Sequence, residues 1–122
     1  MITLYYRNHS KNSQKAIKWF NQHNLSITIL NINNISEKEI FQSIYLSDLE
    51  ISDILRKNSL YFFLKAKKKK AIKLRFSDSL AYLEKNPYLM QDPIIISPNI
   101  SLIGYDENKI ENFLQNNAEV FS

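Results

Sequence analysis

The chain has no cysteine, a single glycine and only three prolines among its 122 residues. Without cysteine it has no disulfides, no thiolate catalysis and no cysteine-ligated zinc. Histidine is scarce as well. His9 and His23 stand alone, with no companions at metal-ligand spacing, so neither a metal nor a cofactor is expected. No apolar run approaches the roughly 20 residues that cross a bilayer. Charge and a polar loop arrive by Arg7, where a secretory segment would be apolar, and the expected location is the cytoplasm. What is present suffices for a core: 44% of the residues are hydrophobic, and one domain is the expectation at this length.

Charge is unevenly spread. The formal net charge is +4, yet nine of the 16 basic residues fall between Arg56 and Arg75 with no acid among them, leaving seven against the 12 acidic residues elsewhere. A mildly acidic protein thus carries one concentrated cationic segment. The run KAKKKKAIKLR, centred on Lys67, Lys68, Lys69 and Lys70, is a candidate contact for DNA or for an acidic protein surface. It also reads as a solvated, flexible loop, or as one mark of a lysine-, asparagine- and isoleucine-rich composition. Ala66, Ala71, Ile72 and Leu74 interrupt it, so part of it is expected against the core with its cations outward. Such a patch alone does not read sequence.

The first twenty residues organise the rest. Ile2, Leu4 and Tyr5 predict a strand over 2–6, RNHSKNS a polar loop, and Ala16, Ile17 and Phe20 a helix over 13–24 capped by Ser13. LSITIL, 25–30, alternates apolar and small polar residues as a second strand, parallel to the first. Residues 31–34 read as loop. Ser36 and Glu39 form a capping box ahead of Ile40, Phe41 and Ile44. Two or three short helices are expected between Leu46 and Leu64. A further helix begins at Ser77 or Asp78 and closes at Asn86-Pro87. Residues 93–96 and 100–103 read as an antiparallel strand pair ending at Gly104, and 106–116 as a terminal helix with Ile110, Phe113 and Leu114 on one face. The order is β-α-β, a helical insertion over about 36–86, then β-β-α: an α/β fold with a four-stranded mixed sheet and helices on both faces.

In that order, MITLYY, SKNSQKAIKWF, LEKNPYLMQDPIII and IGYDENKIENFL resemble the Spx/ArsC family, the arsenate-reductase-like proteins that include the Spx transcriptional regulators. The likeness spans roughly residues 1–115 and is nearer the Spx branch. It implies a thioredoxin-like fold for a single domain over 1–122, with a cis bond before Pro93. Where Spx-type regulators have a Cys-x-x-Cys switch, this chain has Ser10 and Ser13. A serine hydroxyl cannot form a disulfide, so arsenate reduction and redox sensing at this motif are lost. The family's arginine ahead of the third-strand proline is replaced by Asp92, next to Gln91 and Pro93. The family glycine that helps Spx dock on the carboxy-terminal domain of the RNA polymerase α subunit is matched nearest by Glu50. The long carboxy-terminal tail of some Spx proteins has no counterpart here.

Function is weighed on these residues. Ser10 and Ser13, with Arg7 and Lys11 nearby, could bind an anion at a helix N-terminus, but Asp92 would oppose one, and a plain capping role is the simpler reading. No serine has a base and an orienting acid in evident reach, so a non-enzyme is expected. Tyr61, Phe62 and Phe63, beside Leu60 and Leu64, read as core rather than as a stacking platform. The leading expectation is an Spx-like transcriptional regulatory protein binding the RNA polymerase α subunit, its redox switch deleted. The surface from Ile44 to Asp53, with Asp48 and Glu50, would face the polymerase, and the lysine run would meet DNA or acidic protein. The alternative is a catalytically dead arsenate-reductase-like protein that holds a small oxyanion or thiol ligand.

Overall fold

Leu4 and Tyr5 are adjacent and both fully buried, at 0% and 1% exposure. Neighbouring side chains of a strand point to opposite faces, so the strand that holds them is covered on both sides. In the structure, a computed structural model describing residues 1–57 and 62–114, this strand is β1, Ile2–Tyr6. The remaining strands are β2 (Ile27–Asn31), β3 (Ile94–Ile96) and β4 (Ser101–Ile103). They form one sheet in the order β2-β1-β3-β4, with β1 parallel to β2 and the other pairs antiparallel. All three isoleucines of β3 are buried, which is why its sequence is a continuous apolar run rather than an alternating one. The mixed thioredoxin-like sheet is the one expected.

Each face has its own core. Helix α1, Lys11–Gln22, lays Ala16, Trp19 and Phe20 against Leu4, Ile95, Ile110 and Phe113. The opposite core joins Tyr5, Ile94 and Ile96 to the insertion, built from α2 (Glu37–Ser47), α3 (Ile51–Ile54), α4 (Phe62–Lys73) and α5 (Phe76–Lys85). Ser36 and Glu39 make the anticipated capping box, the Ser36 backbone N–H donating to Glu39 Oε1 at 3.2 Å. Ile40 and Ile44 are buried behind it, but Phe41 is 46% exposed, one position off the apolar stripe.

Several boundaries differ from those the sequence predicts. Helix α1 starts two residues earlier than 13: Ser10 is its N-cap and accepts from the Ser13 N–H at 3.3 Å. Ser13 is therefore inside the first turn, and its hydroxyl is free for another partner. Serines three apart both satisfy the capping signal, and only the contacts to the rest of the chain decide between them. Residues 32–34 form a 3-10 turn rather than open loop. Helix α5 begins at Phe76, after Arg75, with no serine cap. The lysine run is helical rather than loop. Of its four apolar interruptions only Ala71 is buried, and Ile72 is 52% exposed. Asp106 Oδ1 accepts from the N–H groups of Asn108 and Lys109, opening a turn over 107–111 that becomes helical only at 112–114, although Ile110 and Phe113 are buried as expected. The core placement expected for Leu60, Tyr61, Phe62 and Phe63 lies outside the residues and side chains described, as does the end of the terminal helix at 115–116.

Candidate functional site

The loop after β1 and the N-terminus of α1 meet the segment ahead of β3, and two sets of hydrogen bonds hold that segment. Residues 54–56 pair with 89–91 through Arg56 N–H to Leu89 O and Gln91 N–H to Ile54 O, both 2.8 Å, around an isolated Leu55–Met90 bridge. The Gln91 side chain donates to Asp53 O at 2.8 Å and Leu55 O at 3.2 Å. The chain then passes the cis Asp92–Pro93 bond, as anticipated. Gly104, at φ 81°, closes the far side: its N–H donates to Pro93 O at 2.8 Å, and a Cβ there would stand 3.0 Å from Gln91 Oε1. The loop facing Ser10 is thus fixed from both sides.

Asp92 ends up beneath α1. Its Oδ2 accepts the Ser13 hydroxyl at 2.6 Å and its Oδ1 accepts the Arg7 guanidinium at 2.9 Å. The same guanidinium donates to Met90 O and to Pro87 O, each at 2.9 Å, and the Arg7 N–H donates to Ser13 Oγ at 3.1 Å. Burial pulls the Arg7 guanidinium below its ordinary pKa, against the opposing pull of Asp92. On sequence alone Arg7 reads as a free cation for an anion and Asp92 as a repelling charge. The structure corrects both: the two charges are spent on each other. Only their separation of 85 positions hid the pair, since no local signal connects them.

Beside this network lies an open cleft of about 460 Å³ lined by Ser10, Lys11, Arg56, Lys57 and Asp92 among others. His9, at φ 63°, sits at its rim. His23 stacks on Trp19, centroids 4.1 Å apart, and bonds Trp19 O through Nδ1 at 2.8 Å. Among the described residues no hydrogen bond joins either histidine to a serine, and no group of three His, Asp or Glu could hold a metal. No helix described is long and apolar enough to cross a membrane.

No protein-family model matches the chain. It is 27% identical over 123 residues to "Global transcriptional regulator Spx 1" of Oceanobacillus iheyensis, covering 99% of this chain and 92% of that one. It is 28% identical over 119 residues to "Global transcriptional regulator Spx" of Streptococcus agalactiae, covering 93% and 83%. Among solved structures, an ArsC family related protein from Bacteroides fragilis superposes with a TM-score of 0.77 at 20% identity, over 91% of this chain and 97% of that one. The arsenate reductase from Vibrio cholerae gives 0.68 at 14%, over 93% and 95%. This is a cysteine-free Spx/ArsC-like thioredoxin fold. Its likeness in sequence runs to proteins named as regulators, and its likeness in fold extends to reductases.

Two further regions hold residues singled out in this Spx/ArsC-like chain. After α2, Asp48 adopts a left-handed backbone, φ 56°, while Glu50 is extended at φ −106° and its N–H donates to Asp53 Oδ2 at 2.9 Å. The conformation that favours glycine is therefore at 48. Asp48→Gly is expected to leave stability unchanged or raise it by up to about 1 kcal/mol, and Glu50→Gly to lower it by about 0.5–1 kcal/mol. Urea unfolding midpoints check the ordering. On α4 the lysines divide. Lys67 donates to the Tyr88 hydroxyl, which holds its pKa above the ordinary value, Lys68 donates to Arg56 O at 2.6 Å, and Lys70 stands over the Tyr82 ring at 5.1 Å. Lys65, Lys69 and Lys73 are exposed. Neither tyrosine was singled out from sequence, where aromatics in separate elements carry no pairing signal.

Proposed function

We propose that this chain is an Spx-like regulatory protein, a single domain over 1–122, that works through its surface and not as an enzyme. It binds RNA polymerase through the carboxy-terminal domain of the α subunit. The observation that carries the reading is the Arg7–Asp92–Ser13 network at the family's switch position: among the described residues the one carboxylate that accepts a serine hydroxyl there is paired with the Arg7 guanidinium, no histidine joins it, and the chain has no thiol. The near-full-length similarity to proteins named Spx supports the regulatory half. The expected docking surface runs from Ile44 to Asp53. There the left-handed backbone favours Asp48 over Glu50 as counterpart of the family glycine. With Ser10 and Ser13 in place of cysteines, the activity is indifferent to disulfide stress and follows abundance, in the cytoplasm where polymerase is.

DNA contact, in this reading, falls to Lys65, Lys69 and Lys73, which recur every four residues and so share one helix face. Lys67, Lys68 and Lys70 bind inward partners and contribute less. In a pull-down, immobilised polymerase α subunit retains the wild-type chain at low and moderate salt. Lys65→Gln/Lys69→Gln/Lys73→Gln leaves that retention intact and lowers the log–log salt slope of DNA binding by up to about 2.7. No retention by the α subunit at either salt sinks the proposal.

The open cleft favours one second reading. Lys11, Arg56 and Lys57 surround the Ser10 end of α1, a setting for a small oxyanion or a thiol ligand such as glutathione that is held without turnover. Saturating arsenate, phosphate or glutathione would then raise the melting temperature by mass action. An unchanged melting temperature at millimolar ligand disposes of this reading.

A further inference from the structure

The strand order leaves β2 bonded on one side only, to β1. Natural sheet edges carry a lysine, a proline, a bulge or a short strand to prevent pairing with other chains. β2 has none of these. It is paired with β1 over five consecutive positions without a bulge, and from Asn24 through Ser36 there is no charged residue and no proline. Ile27 packs against the α1-side core, but one apolar side chain on each face is uncovered: Ile29 is 44% exposed and Leu30, on the other face, is 39% exposed. Met1, 88% exposed, lies alongside, with the Thr28 hydroxyl 3.4 Å from its sulfur. The opposite edge differs: β4 is three residues long and α2 packs against it.

We infer that the free edge of β2 is a homodimer interface, on which two copies of this chain pair antiparallel about a two-fold axis at Ile29. Charge selects this occupant. A two-fold contact sets each patch against its own copy, so the cationic segment 56–75 and the acidic remainder each oppose like charges there, and the uncharged segment around β2 is where two copies can meet without them. The sequence is also compatible with self-pairing in register. With Ile29 on the axis, Thr28 faces Leu30 of the second copy and Ile27 faces Asn31, so each cross-strand pair is apolar or neutral.

Sedimentation equilibrium on the full chain tests this. Wild-type protein is expected to show a dimer fraction that rises with concentration. Ile29→Lys and Ile29→Glu each put like charges on the axis and weaken self-association by at least about tenfold, with an unchanged circular dichroism spectrum, because the site is half-exposed. An equimolar mixture of the two variants regains a dimer, a result that misfolding cannot imitate. A wild-type chain that stays monomeric at its highest soluble concentration overturns the inference and leaves the edge to a foreign strand. Ile29→Lys dimerising as well as wild type overturns it too, as does a mixture that stays monomeric.

Discussion

Replacing Arg7 with methionine is expected to lower the free energy of unfolding by about 2–4 kcal/mol. Methionine keeps much of the packing volume but withdraws the donors that serve Met90 O, Pro87 O and Asp92 Oδ1, each at 2.9 Å. Removing one member of a fully buried ion pair typically costs about 3–5 kcal/mol, because the other charge is left without compensation. Here the side chains are 18% and 12% exposed, so water reaches the orphaned carboxylate and the lower part of that range is appropriate. Arg7→Lys is expected to rescue little, since one ammonium on a flexible stem cannot span three fixed acceptors. The deciding measurement is a double-mutant cycle by urea unfolding. Adding Asp92→Asn to Arg7→Met removes the stranded charge while keeping an acceptor for the Ser13 hydroxyl. A coupling of about 1–2 kcal/mol in favour of the double variant is expected. Strict additivity would mean that the pair does not hold the loop. Because the pair is largely buried, the effect should persist at high salt, where an exposed bridge would fade.

The Arg7 pair also shows what a sequence can and cannot display. The strands, α1 and the capping box of α2 were legible because their signals are local: alternation over 25–30, apolar spacing from Ala16 to Phe20, a serine three residues before a glutamate. The cis bond before Pro93 is an implication of the family likeness and of no local signal. The contacts that define the site are not local. Ser10 and Ser13 carry the same capping signal, and what separates their roles is Asp92, 79 residues beyond Ser13. The lysine run gave its charge but not its orientation, because the tyrosines that engage Lys67 and Lys70 lie in later elements. Phe41 and Ile72 looked like core by residue type and are exposed, since a single step around a helix turns a side chain from core to solvent. Composition said which chemistry was missing. Only the fold brings Arg7 and Asp92 together as an ion pair beside Ser13 at the start of α1.

Phe20→Ala is expected to cost more than any single change at the candidate site, about 3–5 kcal/mol. The ring is fully buried and meets Trp19 edge-on at 5.1 Å and Phe113 at 5.5 Å, so it joins α1 to the segment after β4. Alanine leaves a cavity between elements that cannot close without moving the sheet, whereas Phe20→Leu, which fills most of the space, should cost about 1.5 kcal/mol or less. The milder variant also gives a sharper test. Phe20 stands ten residues from the Ser10 cap along α1, about 15 Å at helical rise, and it belongs to the core on the other face of the sheet from Tyr5. Changes that far apart with no shared partner normally add within about 0.5 kcal/mol. Urea unfolding of Phe20→Leu combined with Arg7→Met should therefore give the sum of the two separate losses. A combined loss well short of the sum would mean that α1 already shifts as a unit in either variant. In that case the helix mouth and the Phe113 contact form one coupled element, and the serine positions owe their placement to the aromatic core as much as to Asp92.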